Sequence, residues 1–333
     1  MRRLILSLLL SAACFPLYAT TGYADSLRVQ GKNNHVQGIA YDRQEECFYC
    51  SFTTAFFKVA TDGSIIGSID NIHGHLGAMT FDPQTRKVYA SLECKDDEIG
   101  RGISRGMGVE AYGHDESRFY IAEIDVDSMT METHELPLVR EDYLAGRFAC
   151  SGIDGVTLAP AFGRRGVRAR RYLYVAYGIY GDTTRTDNDY NVLLCYRPGK
   201  YDKPVRRYFV RTGNTTYGVQ NLCYDSNSGS MLMAVYRGRK KSFHNYSLFS
   251  LDMSQKPFKA PLQDVPYCRG RVWQLGDLLG SDFPLGSTGI CSLGDGLFYI
   301  GVHGREDGRE FCDFKLYKQS GSDPLSFERP HKQ

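Results

Sequence analysis

One strand pattern recurs five times along this chain, and a recurrent unit dictates how the pieces must stack before any single residue does. It reads "HVQGIAYD" from His35, "HLGAMTFD" from His75, "GIDGVTLAP" from Gly152, "GVQNLCYD" from Gly218 and "GSTGICSLG" from Gly286. Each copy has a polar or glycine-rich lead-in, an alternating apolar run, and then a turn. A second strand follows each time: "CFYCSFT", "KVYASLE", "YLYVAYG", "MLMAVYR" and "LFYIGVH". Turn chemistry such as "DRQE", "DPQTRK" and "DSNSGS" separates first from second strands. Third strands appear in "AFFKVAT", "FYIAEIDVD", "NVLLCYRP", "YSLFSLDM" and "FKLYKQ", with weaker fourth ones in "SIIGSID", "METHELPL" and "VRRYFV".

Five such units with almost no helical periodicity predict an all-β fold, a five-bladed β-propeller of four-stranded antiparallel blades around a central channel. A β-sandwich also has short strands and turns, but it does not repeat one strand lead-in five times. "SLRVQGK" near Ser26 is expected to seal the ring by pairing with the last blade, which removes an exposed edge. The long insertions follow Glu93, Gly178, Arg237 and His303. All fall between second and third strands or between blades, connections that share one face. Opposite turns read as short. Long loops over a rigid scaffold are where sites belong.

That face gathers the candidate residues. First-strand lead-ins contribute His35, Gln37, His73, His75, Asp154, Gln220, Asn221, Ser287 and Thr288; second-strand ends contribute Glu93, Tyr177, Tyr236, Arg237 and His303. His35, Gln37, His75 and Gln220 are the expected holders of a divalent ion, Ca, Mn or Zn, or of substrate, because imidazole and amide groups suit such ions. Imidazoles also suit proton transfer near neutral pH. Asp154 lies between Ile153 and Gly155, where an unpaired carboxylate is costly. It therefore needs a partner, and it is the leading catalytic candidate, with His303 and Glu93 beside it. Arg237, Tyr236, Asn221, Thr288 and Tyr177 are the expected substrate contacts, Arg237 as a fork for an anionic group.

Met1 to about Ala24 carries two arginines, an apolar stretch and small residues, the pattern of a secretory signal. The propeller domain is then 25–333, the protein is exported to the periplasm or beyond, and "SAAC" at Cys14 offers a lipid anchor as the alternative. No later segment approaches a membrane span. Removing Cys14 leaves nine cysteines, so at least one stays unpaired; "CFYC" reads as buried thiols rather than half a zinc site. A net charge of +2 with mixed signs argues against a nucleic-acid face, and "GRRGVRARR" from Gly163 reads as a solvated basic turn. "GDTTRTDNDYN" from Gly181 reads as a solvated loop rather than an EF-hand, and Asn214 and Asn245 stand in glycosylation sequons. No nucleophile-elbow, zincin, P-loop or dinucleotide motif is present.

The repeat resembles the five-bladed propeller class over nearly all of the mature chain. That class includes secreted glycosidases, calcium-dependent nucleotidases and sugar-binding lectins; other propellers are polysaccharide lyases with a histidine- and glutamine-bound metal. The glycosidases imply an acidic residue opening the first blade, where this chain has His35 and Gln37. Lectins repeat one pocket per blade, whereas these rim residues differ from blade to blade. The resemblance is architectural, and fold does not fix function. The expectation is an exported monomeric hydrolase or lyase, metal-supported, acting on a small polar, carbohydrate-derived or anionic substrate. The alternatives are a glycan-binding propeller without catalysis and a protein-interaction scaffold using the long loops.

Overall fold

Strand alternation in this chain buries both faces of most strands, because each blade is covered on either side by a neighbour. The computed structural model describes residues 22–31, 34–164 and 170–330. The leader expected over Met1–Ala24, Cys14 included, lies outside the described residues except at its last three positions, as do five residues of the basic run from Gly163.

Strand β1 (Ser26–Gln30) comes first. Blade 1 is β2 (Gly38–Asp42), β3 (Cys47–Ser51), β4 (Phe56–Val59) and β5 (Ile65–Ile69). Blade 2 is β6 (His75–Asp82), β7 (Lys87–Cys94), β8 (Arg118–Asp125) and β9 (Thr130–Glu135). Helix α1 (Glu98–Met107) stands between β7 and β8, and α2 (Pro137–Leu144) follows β9. Blade 3 is β10 (Cys150–Pro160), β11 (Arg171–Ile179), β12 (Tyr190–Tyr196) and β13 (Arg206–Arg211). Blade 4 is β14 (Val219–Asp225), β15 (Ser230–Val235) and β16 (Leu248–Asp252), then β19 (Leu278–Ser281) after a detour through β17 (Phe258–Ala260) and β18 (Val272–Leu275). Blade 5 is β20 (Ile290–Gly294), β21 (Leu297–Glu306) and β22 (Arg309–Gln319), with short β23 (Phe327–Glu328) on β22.

The innermost strands close a ring, β2 against β6, β6 against β10, β10 against β14, β14 against β20 and β20 against β2. The expected seal is present, with β1 antiparallel to β22 from Ser26↔Lys315 to Gln30↔Phe311. The chain is thus a five-bladed β-propeller. Five apolar wedges fill the gaps between blades. Strand β3 shows how: Phe48 packs toward blade 5 and Tyr49 toward blade 2. Both faces are dry, so "CFYCS" reads as a continuous apolar run. The nine cysteines from Cys47 to Cys312 are all unpaired, and all but Cys268 are buried.

The turns obey one chemistry. Asp42, Asp82 and Asp225 end their first strands, and each carboxylate accepts a backbone N–H two or three residues on: Gln44 at 2.9 Å, Gln84 at 3.1 Å and Ser228 at 2.8 Å. Four residues past each aspartate the backbone turns left-handed, at Glu46 (φ 50°), Arg86 (φ 56°) and Gly229 (φ 67°).

Three sequence expectations need correction. The connection between the third and fourth strands of blade 4 is long and lies on the short-turn face; its β17 and β18 join blade 3, β18 parallel to β13. The loop from Gly181 is anchored rather than solvated: Asp187 accepts from Arg185 and Tyr267, and Asp189 pairs with buried Lys240. Neither sequon presents its amide. Asn214 Nδ2 donates to the Tyr236 carbonyl at 2.7 Å and Asn245 Nδ2 to that of Lys240 at 2.7 Å, both side chains being buried.

Candidate functional site

On the face of the lead-ins, an arc of titratable side chains runs round the channel mouth from blade 5 through blades 1 and 2 to blade 3. It starts with Glu310, whose Oε2 lies 3.0 Å from His303 Nε2. The His303 ring meets that of His35 edge-on at 5.5 Å. The Gln37 amide donates to His35 Nε2 at 2.5 Å. His75 Nδ1 faces Glu93 Oε2 at 3.8 Å, and its Nε2 is buried without a hydrogen bond among the described residues. Glu93 accepts the Ile153 N–H at 2.6 Å on Oε1 and holds Lys95 Nζ at 2.6 Å from Oε2. Asp154 ends the arc, accepting from Gln220 Nε2 at 3.0 Å.

Two glycines make this arrangement sterically allowed. A Cβ on Gly152 (φ 126°) would meet Glu93 Oε1 at 1.9 Å, and one on Gly178 would meet Asp154 Oδ2 at 2.7 Å. The carboxylates occupy the space that side chains there would fill. Lys95 is placed by the loop after β7. It donates to the Ser151 carbonyl at 2.7 Å and lies 3.4 Å from Asp97, which also caps α1 through the Gly100 N–H at 2.7 Å.

The electrostatics split the two acids. Burial pushes Glu93 toward neutrality, but the Lys95 ammonium and His75 outweigh it and hold its pKa below the usual carboxylate range. Burial also works against the Lys95 charge, and Glu93 and Asp97 override it, leaving its pKa raised. Asp154 goes the other way: burial, then the negative charge of Glu93, push it well above the usual range, only partly offset by Lys95 and the Gln220 hydrogen bond. Asp154 still keeps some solvent exposure at the floor of the mouth. One acid is walled in and held low; the other is pushed up and partly exposed.

Burial and the nearby His75 and His303 lower His35 to about 4. A neutral ring is what accepts the Gln37 N–H. As pH falls the unfolded chain protonates this residue first, near its ordinary 6.5, so the stability present above pH 6.5 is lost between there and about 4. His35→Gln, whose Oε1 can still accept from Gln37, is expected to remove about 2 kcal/mol of the stability lost between pH 7 and pH 4.5. Denaturant melts at the two pH values measure this, and an unchanged difference would refute it.

Several expected site residues lie elsewhere. Tyr177 is fully buried with its hydroxyl on Asp142 at 2.8 Å, so it is core and not a substrate contact. Asn221 is a strut, donating to the Gln37 carbonyl at 3.1 Å and the Ser287 carbonyl at 2.8 Å. Thr288 donates to the Gly301 carbonyl at 2.7 Å. Arg237 points to Asp282, 3.5 Å away, rather than to the channel. His73 stacks on Tyr112 in the loop above blade 2. Glu93 is enclosed on both oxygens, which makes it a positioning residue. Tyr236 does belong at the mouth, where burial raises its pKa. Lys95 and Glu310 were not legible as site members; the only sequence signal for Lys95 is its spacing of two from Glu93 at a strand end.

The four expected metal holders do not form one ligand shell. His35 and Gln37 bond to each other, His75 turns to Glu93, and Gln220 serves Asp154. Among the described residues, three His, Cys, Asp or Glu ligand atoms come within 4.8 Å of one another only at Asp42, Glu45 and Cys47, on the other face. There Arg86 already pairs with Asp42 and Glu45. At the arc, the cation beside the carboxylates is Lys95.

An open cavity of about 900 Å³ lies at the opposite mouth, with Arg43, Arg164, Arg171 and Tyr224 in its wall. Two of its arginines are engaged, Arg43 with Asp295 at 3.2 Å and Arg171 with the Leu158 carbonyl at 3.3 Å. A channel of about 120 Å³ lined by the innermost strands separates it from the arc. Size favours that mouth, but the opposed protonation states lie at the arc, and reactivity follows those.

No protein-family model matches the chain, and no curated protein matches it by sequence. Similar solved structures include a luciferin-regenerating enzyme (TM-score 0.40, 10% identity, 86% of this chain and 95% of that one). A soluble aldose sugar dehydrogenase from Escherichia coli in the apo form has TM-score 0.43 and 10% identity, over 88% of this chain and 99% of that one. A gluconolactonase from Xanthomonas campestris has TM-score 0.40 and 8% identity, over 87% and 89%. Likeness this low says nothing of chemistry, and the propeller assignment rests on strand order and ring closure.

Proposed function

We propose that this chain is an exported hydrolase that splits a small polar, carbohydrate-derived substrate at the arc, with Asp154 as general acid. The observation that carries this reading is a pair of neighbouring acids whose environments push their pKa values apart, Asp154 upward and Glu93 downward, with Asp154 partly exposed at the mouth. A carboxyl that keeps its proton near neutral pH can deliver it to a leaving oxygen as the bond to carbon breaks. His75, buried at Nε2 and facing Glu93 through Nδ1, positions that carboxylate, and the proton of the attacking water goes to His303, which stays partly exposed beside Glu310. Glu310, Gln37 and Tyr236 supply polar contacts around the rest of the mouth. No metal enters these steps.

The test is a pH–rate profile on whichever substrate of a panel of glycosides and sugar lactones is turned over, with and without chelator. The acid limb of activity should report the base. The alkaline limb should lie well above the ordinary carboxylate range and report Asp154, because the rate falls as that group loses its proton. An alkaline limb absent up to pH 9, or activity abolished by chelation and restored by a divalent ion, refutes the assignment.

A further inference from the structure

We propose that Tyr236, Tyr217 and Tyr180 form an aromatic subsite that leads outward from Asp154 and takes successive rings of an oligosaccharide. This deepens the function proposed above and rests on it for the position of the bond that is cut.

The three tyrosines are among the few large side chains left exposed, at 37%, 51% and 60%. Singly an exposed tyrosine means little. These three touch in series: the Tyr236 and Tyr217 rings are 5.4 Å apart at 77°, and those of Tyr217 and Tyr180 are 6.3 Å apart at 58°. Each step is of the order of one sugar ring. Tyr236 ends the second strand of blade 4, Tyr217 lies in the link between blades 3 and 4, and Tyr180 opens the loop after β11. Three separate segments thus meet in one series, and Gln220, which bonds both Asp154 and the Tyr217 carbonyl, places it beside the acid.

Tyr217 is held there at a conformational cost. Its φ is 56°, left-handed for a residue with a full side chain, and Gly218 follows at φ 66°. A Cβ on Gly218 would meet the Tyr177 carbonyl oxygen at 2.6 Å, so only glycine fits beneath the turn. The bond that fixes this turn comes from the site: Gln220 Nε2 donates to the Tyr217 carbonyl at 2.8 Å and to Asp154 at 3.0 Å. One amide therefore sets both the acid and the ring beside it. Strain of this kind collects at ligand clamps. Aromatic faces pack against the C–H faces of sugars, while phenol hydroxyls and the Gln220 amide meet their hydroxyls. Of the occupants an exposed tyrosine series suits, an oligosaccharide also fits a neutral acid at its inner end.

Asp154→Asn protein, which cannot consume its ligand, is to be titrated calorimetrically with cellotetraose, chitotetraose and tetragalacturonate and with the matching monosaccharides. One ladder is expected to bind at least ten-fold tighter as tetramer than as monomer. Adding Tyr217→Ala should cost ten-fold or more on the tetramer and under two-fold on the monomer, while Tyr217→Phe keeps the affinity. Tyr180→Ala should weaken the tetramer alone. A ladder that binds in this way to a wild-type protein without turnover sinks the hydrolase and leaves the subsite standing. Turnover of a single-ring substrate with no gain from length, tetramer affinity untouched by Tyr217→Ala, or no binding of any ladder overturns the subsite.

Discussion

Asp154→Asn is expected to lose two to four orders of magnitude in kcat and at the same time to melt higher than the wild type. The loss is that of a positioned proton donor. The gain follows from the raised pKa. Above its ordinary value of 3.8 the unfolded aspartate is ionised, whereas the folded one holds its proton to higher pH, so ionisation opposes folding there. Asparagine carries no such cost and still offers Gln220 an acceptor. At pH 7 this raises Tm relative to the wild type. The gain should shrink toward pH 4 and vanish below the unfolded value of 3.8, where aspartic acid is neutral in both states. Calorimetric scans at pH 4 and pH 7 beside a kinetic assay decide it. A variant that stays active, or that melts lower at pH 7, contradicts the protonated acid.

Lys95→Met should be the most destabilising single change at the arc. Glu93 is buried and ionised, and methionine would leave its charge without the ammonium 2.6 Å away. Breaking a buried pair on one side costs about 3–5 kcal/mol. The double variant Glu93→Gln, Lys95→Met removes both charges and should recover most of that loss, so a double-mutant cycle should show strong coupling. Glu93→Gln alone carries a functional readout that packing cannot mimic. Without the neighbouring negative charge, Asp154 gives up its proton more readily, and the alkaline limb of the pH–rate profile should move down. Additive losses in the cycle, or a limb that does not move, would count against the charge network.

The ring and its seal were readable because strand period and turn chemistry are local. Alternation marks each strand, and the aspartate closing a first strand fixes the turn after it. The excursion of β17 and β18 was hidden because "FKA" and "VWQL" are too short to show a period, and their partner is in another blade. Site residues were read by counting two along a strand, which fails at irregularities. The register slips between Val219 and Asn221, and again on either side of Ile153. Gln220 therefore faces Asp154 while Asn221 ties blades together, and Tyr177 turns into the core. Lys95 was lost inside "CKDDEIGR", a stretch that reads as an ordinary polar loop. Only its position beside Glu93 in space makes it part of the site.

The sealing strand has a consequence in time. Arg28 on β1 bonds Asp313 at 2.8 Å, across 285 positions of sequence. The same junction grips Glu310, whose carbonyl accepts from Gly31 N–H at 2.8 Å and Gln30 Nε2 at 2.9 Å, and Glu310 is the partner of His303. During synthesis the first strand must wait, unpaired, until nearly all of the chain has emerged. Contacts of such range form slowly, because the loop must close before anything rewards it. The pairing of His303 with Glu310 thus sits on the same seam that joins the two ends of the chain, and a chain ending before Glu310 lacks part of the mouth.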